Sequence, residues 1–216
     1  MAQIISVNVV HEVRPDAHNG AGRTAIDKRA VTGAVAVTAQ GLTGDRQMDV
    51  AHHGGRDKAV YAYAGEDVAW WAAELGRDLT PGQFGENLTT SGLDVTGAVV
   101  GERWRIGGPD GVVVEVVQPR TPCATFKDWM GEPRWVRRFT EHGAPGAYLR
   151  VLEEGTVSAG DQVEVVHRPE HGVSIGRCFV DLGPDVARRL LEAEAAGLID
   201  LADSLREYVD RAVART

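Results

Sequence analysis

Apolar and polar positions alternate with a period near two over most of the first 167 residues, and with a helical period after that. The opening stretch MAQIISVNVVHEV alternates so that Ile5, Val7 and Val9 share one face of a first strand. Runs rich in β-branched residues predict further strands at GAVAV (33–37), DKAVYAY (57–63), GVVVEVV (111–117), GAYLRVL (146–152) and DQVEVV (161–166). Between the last two, EEGTVSAGD brackets a very short strand with two glycine turns. Two helices interrupt the strands. In EDVAWWAAEL, Val68, Trp71 and Leu75 recur at i, i+3 and i+7, and EPRWVRRFTEH places Trp135 and Phe139 at i, i+4. Many short strands separated by turn residues predict a barrel or a sandwich.

After HRPEHG the pattern changes. GPDVARRLLEAEAAG begins on Pro184 and stops at Gly197, with Val186 and Leu190 on one face. LADSLREYVDRAVA repeats the pattern through Leu201, Leu205 and Tyr208. A helical tail of about 45 residues is too small for a strong core of its own, so it should dock on the rest or pair in a homodimer. The expected fold class is mainly β with α, an α+β chain, with a barrel-like domain over 1–169 and a small helical domain over 170–216.

At 216 residues and 43% hydrophobic, the chain is long enough for one sizeable core. A net charge of −8 argues against nucleic acid as a partner. No apolar run approaches the roughly 20 residues that span a bilayer, so no membrane association is expected. The N-terminus lacks the features of a signal peptide. Cys123 and Cys178 are therefore expected as free thiols in the cytoplasm.

Three stretches carry more Gly, His and charge than packing requires. In GLTGDRQMDVAHHGGRDKAVYAY (41–63), glycines allow close backbone approach, and Arg46 and Lys58 suit an anion such as phosphate. The competing reading is a polar loop with Arg46 salt-bridged to Asp45 or Asp49. His52 and His53 are adjacent and point opposite ways in an extended segment, a poor geometry for one metal ion. In PGQFGENLTTSGLDV, Phe84 reads as a core anchor at a turn, while Glu86 and Asn87 either bind a ligand or satisfy the backbone donors of the loop. In VVVEVVQPRTPCATF, Pro119 and Pro122 end the strand and stiffen a loop that displays Cys123. Either this thiol is a small buried hydrophobe, or Arg120, Thr121 and Lys127 favour its thiolate as nucleophile or metal ligand. Cys178, in SIGRCFVDL, reads as structural.

Four segments in order, TGDRQMDVAHHGGRDKAVYAY, GQFGENLTTSGL, VVQPRTPCATF and GAPGAYLRVLEEGTVSAGDQVEV, resemble the MOSC family, named for the C-terminal domain of molybdenum cofactor sulfurases. The helical tail is similar to the three-helix domain of the family's bacterial N-hydroxylaminopurine-resistance proteins. The resemblance implies a β-barrel-like domain that binds a pterin-dithiolene molybdenum cofactor, with Cys123 as metal ligand and catalytic residue. It carries cofactor-binding roles to Lys28, in the early loop TAIDKRAVTG, and to Arg46. Lys58, Asn87 and Arg120 follow as further cofactor-lining residues and His53 as a second catalytic residue. The implied reaction is reduction of a small N-hydroxylated substrate, with electrons from an external reductase. A non-catalytic carrier of sulfur or cofactor, and a metal-free enzyme with Cys123 as nucleophile, are the alternatives.

Overall fold

The computed structural model describes residues 1–18, 20–48 and 54–214. The strands are β1 (Gln3–Pro15), β2 (Arg23–Ala30), β3 (Val35–Thr38), β4 (Gly41–Leu42), β5 (Val60–Ala64), β6 (Leu88–Ser91), β7 (Arg103–Ile106), β8 (Val112–Pro119), β9 (Ala147–Glu153), β10 (Gly155–Val157) and β11 (Val163–His167). Eight of them form one mixed sheet in the order β11-β7-β8-β9-β5-β6-β1-β2, and β10-β3-β4 form a second, smaller one. In the large sheet β5 and β6 are parallel, joined through helix α1 (Gly65–Leu75), and the other neighbours are antiparallel. The sheet curls until the start of β1 meets the start of β11. Gln3 bridges Gln162, and the Ile4 and Val163 amides donate to the Asp161 and Ala2 carbonyls at 2.8 and 2.9 Å. The result is a barrel-like shell with helices against it, an α+β fold.

The valine run behaves as its composition predicts. Residues 112–118 are all buried, because β8 lies between β7 and β9 with its other face covered. β1 departs from the simple alternation. Its register against β6 slips between Ile4 and Ser6, so an extra residue bulges there; Ile4 is buried and Ile5 is exposed. The segment TAIDKRAVTG is mostly strand rather than loop, since β2 pairs with β1 and buries Ala25 and Asp27. The chain after Cys123 is also helical at once: α2 (Ala124–Met130) buries Phe126 and Met130 at i, i+4 and ends on Gly131 in the left-handed region (φ 67°). Helix α3 (Trp135–His142) buries Trp135 and Phe139 as its spacing predicts.

Three helices form the tail: α4 (Ile175–Val180), α5 (Pro184–Ala195) and α6 (Asp203–Val213). In α6 the buried stripe is Leu205, Val209 and Ala212, and Tyr208 is exposed, one position off the expected face. The tail docks. Val186, Leu190, Leu205 and Val209 join the barrel's Val112, Val114 and Leu149 in one aliphatic core. A second core is aromatic: Tyr61, Tyr63, Trp71, Phe84, Phe126, Trp135 and Phe139 pack between α1, α2, α3 and the sheet. A buried polar joint ties the tail to the barrel. The guanidinium of Arg150, 2% exposed, donates to Asp57 and Asp200 at 2.8 Å each and to Glu115 at 3.3 Å.

Candidate functional site

β8 ends where Pro119 and Pro122 remove two backbone donors. Gln118, just before the turn, is held by the Ser204 hydroxyl of α6 at 2.5 Å. Cys123 then takes an extended conformation (φ −122°, ψ 175°) as the residue before α2, which Phe126 and Met130 root in the aromatic core. Its side chain is only partly buried and lines two cavities, an inner one of about 120 Å³ and an outer cleft of about 1400 Å³. Cys178 also borders the outer cleft but is only 6% exposed. It is buried in the aliphatic core, and desolvation pushes its thiol up to about 12.

The inner cavity brings together Lys28, Arg46, Lys58, Asn87, Arg120 and Cys123, from five segments far apart in sequence. His53 and its neighbour His52 lie outside the described residues. Lys28, on β2, pairs with Asp45 at 2.5 Å, so Asp45 is the partner of Lys28 rather than of Arg46. Asp45 also accepts from the Asn87 side-chain amide at 2.7 Å and from the Val10 amide at 3.0 Å. The Asn87 carbonyl oxygen accepts from the Tyr61 amide at 3.0 Å. Asn87 therefore braces Asp45, and through it Lys28, while closing the gap between β1 and β5. Asp49, the other candidate partner of Arg46, is outside the described residues; Arg46 itself is exposed at the cavity rim.

Gln47 fixes the segment carrying Lys58. Its side chain donates to the Lys58 carbonyl at 2.7 Å and accepts from the Gly55 amide at 3.0 Å, across the 3₁₀ turn Arg56–Lys58. Arg120 is 6% exposed. Its guanidinium stacks 3.5 Å over Phe126 and donates to the Phe84 carbonyl at 3.2 Å. Lys127 does not belong to this group of cations: it is exposed and paired with Asp128 at 3.1 Å, one turn past the thiol.

Glu86 supports the loop between α1 and β6 from below. Its buried carboxylate accepts from the Gly82 and Phe84 amides at 2.6 and 3.0 Å and from the Thr89 hydroxyl at 2.8 Å. Burial raises its pKa above the usual carboxylate range, and these donors offset part of the rise. Gly82 is held at φ +87° where a Cβ would meet the Lys28 carbonyl at 2.3 Å, so the loop can lie against β2 only with glycine there. Of the two readings the sequence left for Glu86, the structure bears out the satisfaction of the loop's own backbone donors. Asp45 and Gln47 were not singled out as site residues, and Asp45 works by pairing with Lys28 and Asn87, far away in the chain.

The arrangement is a thiol at the mouth of a cation-lined pocket, on the wall of a barrel-like shell. The MOSC domain model matches residues 49–164, and the chain belongs to this family. Within it the chain is similar to YflK of Bacillus subtilis, an uncharacterized protein, at 40% identity over 152 residues, 70% of this chain and 67% of that protein. The crystal structure of YiiM from Geobacillus stearothermophilus superposes with a TM-score of 0.77 at 29% identity, covering 99% of this chain and 100% of that one. A protein named reductase from Gibberella moniliformis is 31% identical over 160 residues, 73% of this chain but 28% of that protein. The family is of the YiiM type, tail included.

Proposed function

We propose that this chain is a molybdenum-cofactor-dependent reductase of N-hydroxylated bases or related N–O compounds, acting in the cytoplasm with electrons from a separate reductase. The observation that carries the reading is the position of Cys123, shared between a pocket lined by four cations and an open cleft. The donor chemistry fits such a group. Among the described residues no cluster of three or more His, Cys, Asp or Glu side chains could hold a metal ion unaided. One soft thiolate beside several cations instead suits a metal that arrives inside an anionic chelate and needs a single protein ligand.

When bound, the cofactor supplies two-electron oxygen-atom chemistry. The chain supplies placement and charge. Lys28, Arg46, Lys58 and Arg120 would neutralise phosphate and dithiolene, Arg as a planar fork and Lys as a point charge. Cys123 would hold the metal at the boundary, so that a substrate entering by the outer cleft meets it. Phe84 and Tyr61 form an apolar floor that keeps bulk water from the cations and strengthens their attraction. The reductase among the relatives supports the reaction class.

The test is metal analysis of protein made in a host competent for molybdopterin. About one molybdenum per chain is expected, falling to background in Cys123→Ala at unchanged Tm, together with reduction of an N-hydroxylated purine by reduced viologen. Molybdenum without turnover would turn the reading to a cofactor carrier. A metal-free wild-type chain would overturn it.

A further inference from the structure

Four residues line both the inner cavity and the outer cleft: Lys58, Cys123, Thr125 and Tyr148. They mark the neck where the two spaces adjoin, so a substrate coming in by the cleft toward a group held at Cys123 would pass among them. The Thr125 hydroxyl donates to Asp16 at 2.5 Å and faces away from this task. Tyr61, whose ring lies 5.2 Å from that of Tyr148, donates its hydroxyl to the Pro145 carbonyl at 2.8 Å and is likewise committed. Tyr148 is the remaining phenol at the neck, presented by β9 directly opposite Gln118 of β8, five residues before the thiol. The Arg120 guanidinium, which can only donate, bonds to its oxygen and leaves the phenolic proton for another acceptor.

On the reductase reading above, we infer that Tyr148 is a catalytic proton donor to the oxygen that leaves nitrogen. The net step is R–NH–OH + 2 e⁻ + 2 H⁺ → R–NH₂ + H₂O. The N–O bond breaks, nitrogen is reduced, and the two electrons come from the cofactor, replenished by the external reductase or by a reduced viologen. Tyr148 gives one of the two protons, water in the cleft gives the other, and the phenolate is reprotonated from the cleft. The charge left on the ring falls between two cations, the Lys58 ammonium 6.0 Å from its centroid and the Arg120 guanidinium at its oxygen.

The test is Tyr148→Phe in the molybdenum-loaded chain, which removes one oxygen atom and keeps the ring. Proton donation of this kind contributes about 10²- to 10⁴-fold. The expected result is a fall in kcat of about 100-fold with KM within about twofold, molybdenum content and Tm unchanged, and loss of the wild-type solvent isotope effect on kcat. In the cofactor-free chain carrying ¹³C-labelled tyrosine, alkylation of Cys123 should shift the resonance that disappears in Tyr148→Phe. An unchanged kcat in Tyr148→Phe beside an active wild type overturns the inference alone. So does a Tyr148 resonance that does not respond to Cys123. An inactive wild type overturns the reductase reading first, and this role with it.

Discussion

Each of the two cores holds one cysteine, and the contrast explains what each core is for. The aliphatic core is built of Val, Leu, Ile and Ala from the barrel and the tail, and Cys178 sits in it as one more small apolar side chain. The aromatic core is smaller and polar at its edges. The Trp71 indole donates to the Tyr63 hydroxyl at 3.1 Å, Tyr61 to Pro145 at 2.8 Å, and the Trp129 indole to the Gln83 carbonyl at 2.8 Å. Cys123 packs against this second core while keeping one side in the cavity. Branched aliphatics fill a shell efficiently; large rings with directional tips hold a wall at a fixed distance from a pocket. The first core holds the fold together, and the second holds the site in place.

The largest difference should appear in thiol chemistry. At pH 8 a thiol pushed up to about 12 is ionised in about one molecule in ten thousand. Iodoacetamide should therefore label Cys123 in the native, cofactor-free chain and leave Cys178 untouched, as read by peptide mass spectrometry. Labelling of both at similar rates would erase the distinction between the cores. Next comes packing. Phe139→Ala, at a fully buried ring contacting Trp71, Phe84, Phe126 and Trp135, should cost about 3–5 kcal/mol in urea unfolding and also change the rate of Cys123 alkylation. Leu190→Ala in the aliphatic core should cost about 2–5 kcal/mol and leave that rate alone. The smallest effect concerns Glu86. Its folded-state pKa is raised, so its contribution to stability is complete below the ordinary glutamate pKa and is lost as pH rises through the folded value. Urea midpoints of wild type should therefore decline against those of Glu86→Gln as pH rises from the acid side; a constant gap between the two would remove this role.

Strand and helix types were legible wherever burial is simple, as at 112–118 or at Trp135 and Phe139. They were not where a local device intervenes. The bulge at Ile5 shifts the alternation by one residue and leaves no mark in residue type. Helix α2 had its signal in Phe126, Met130 and Gly131, but the prolines just before it read as the start of a loop. Among the site residues, Arg46, Lys58, Arg120 and the thiol could be named from their chemistry, and Lys28 only from the family resemblance. Their partners could not: Lys28 meets Asp45 17 residues on, and Asp45 meets Asn87 42 residues further, pairings that no spacing rule contains. The resemblance to a known family supplied the grouping that local pattern lacked.

Arg150 sets an order of events as well as a geometry. One of its carboxylate partners, Asp57, adjoins Lys58, and another, Asp200, lies between the last two helices. During synthesis the ribosome therefore releases Cys123 long before it releases the residue that completes this clasp. A chain that stops short of residue 200 carries the sulfur and leaves Arg150 with Asp57 and Glu115 alone, one carboxylate short of the full clasp.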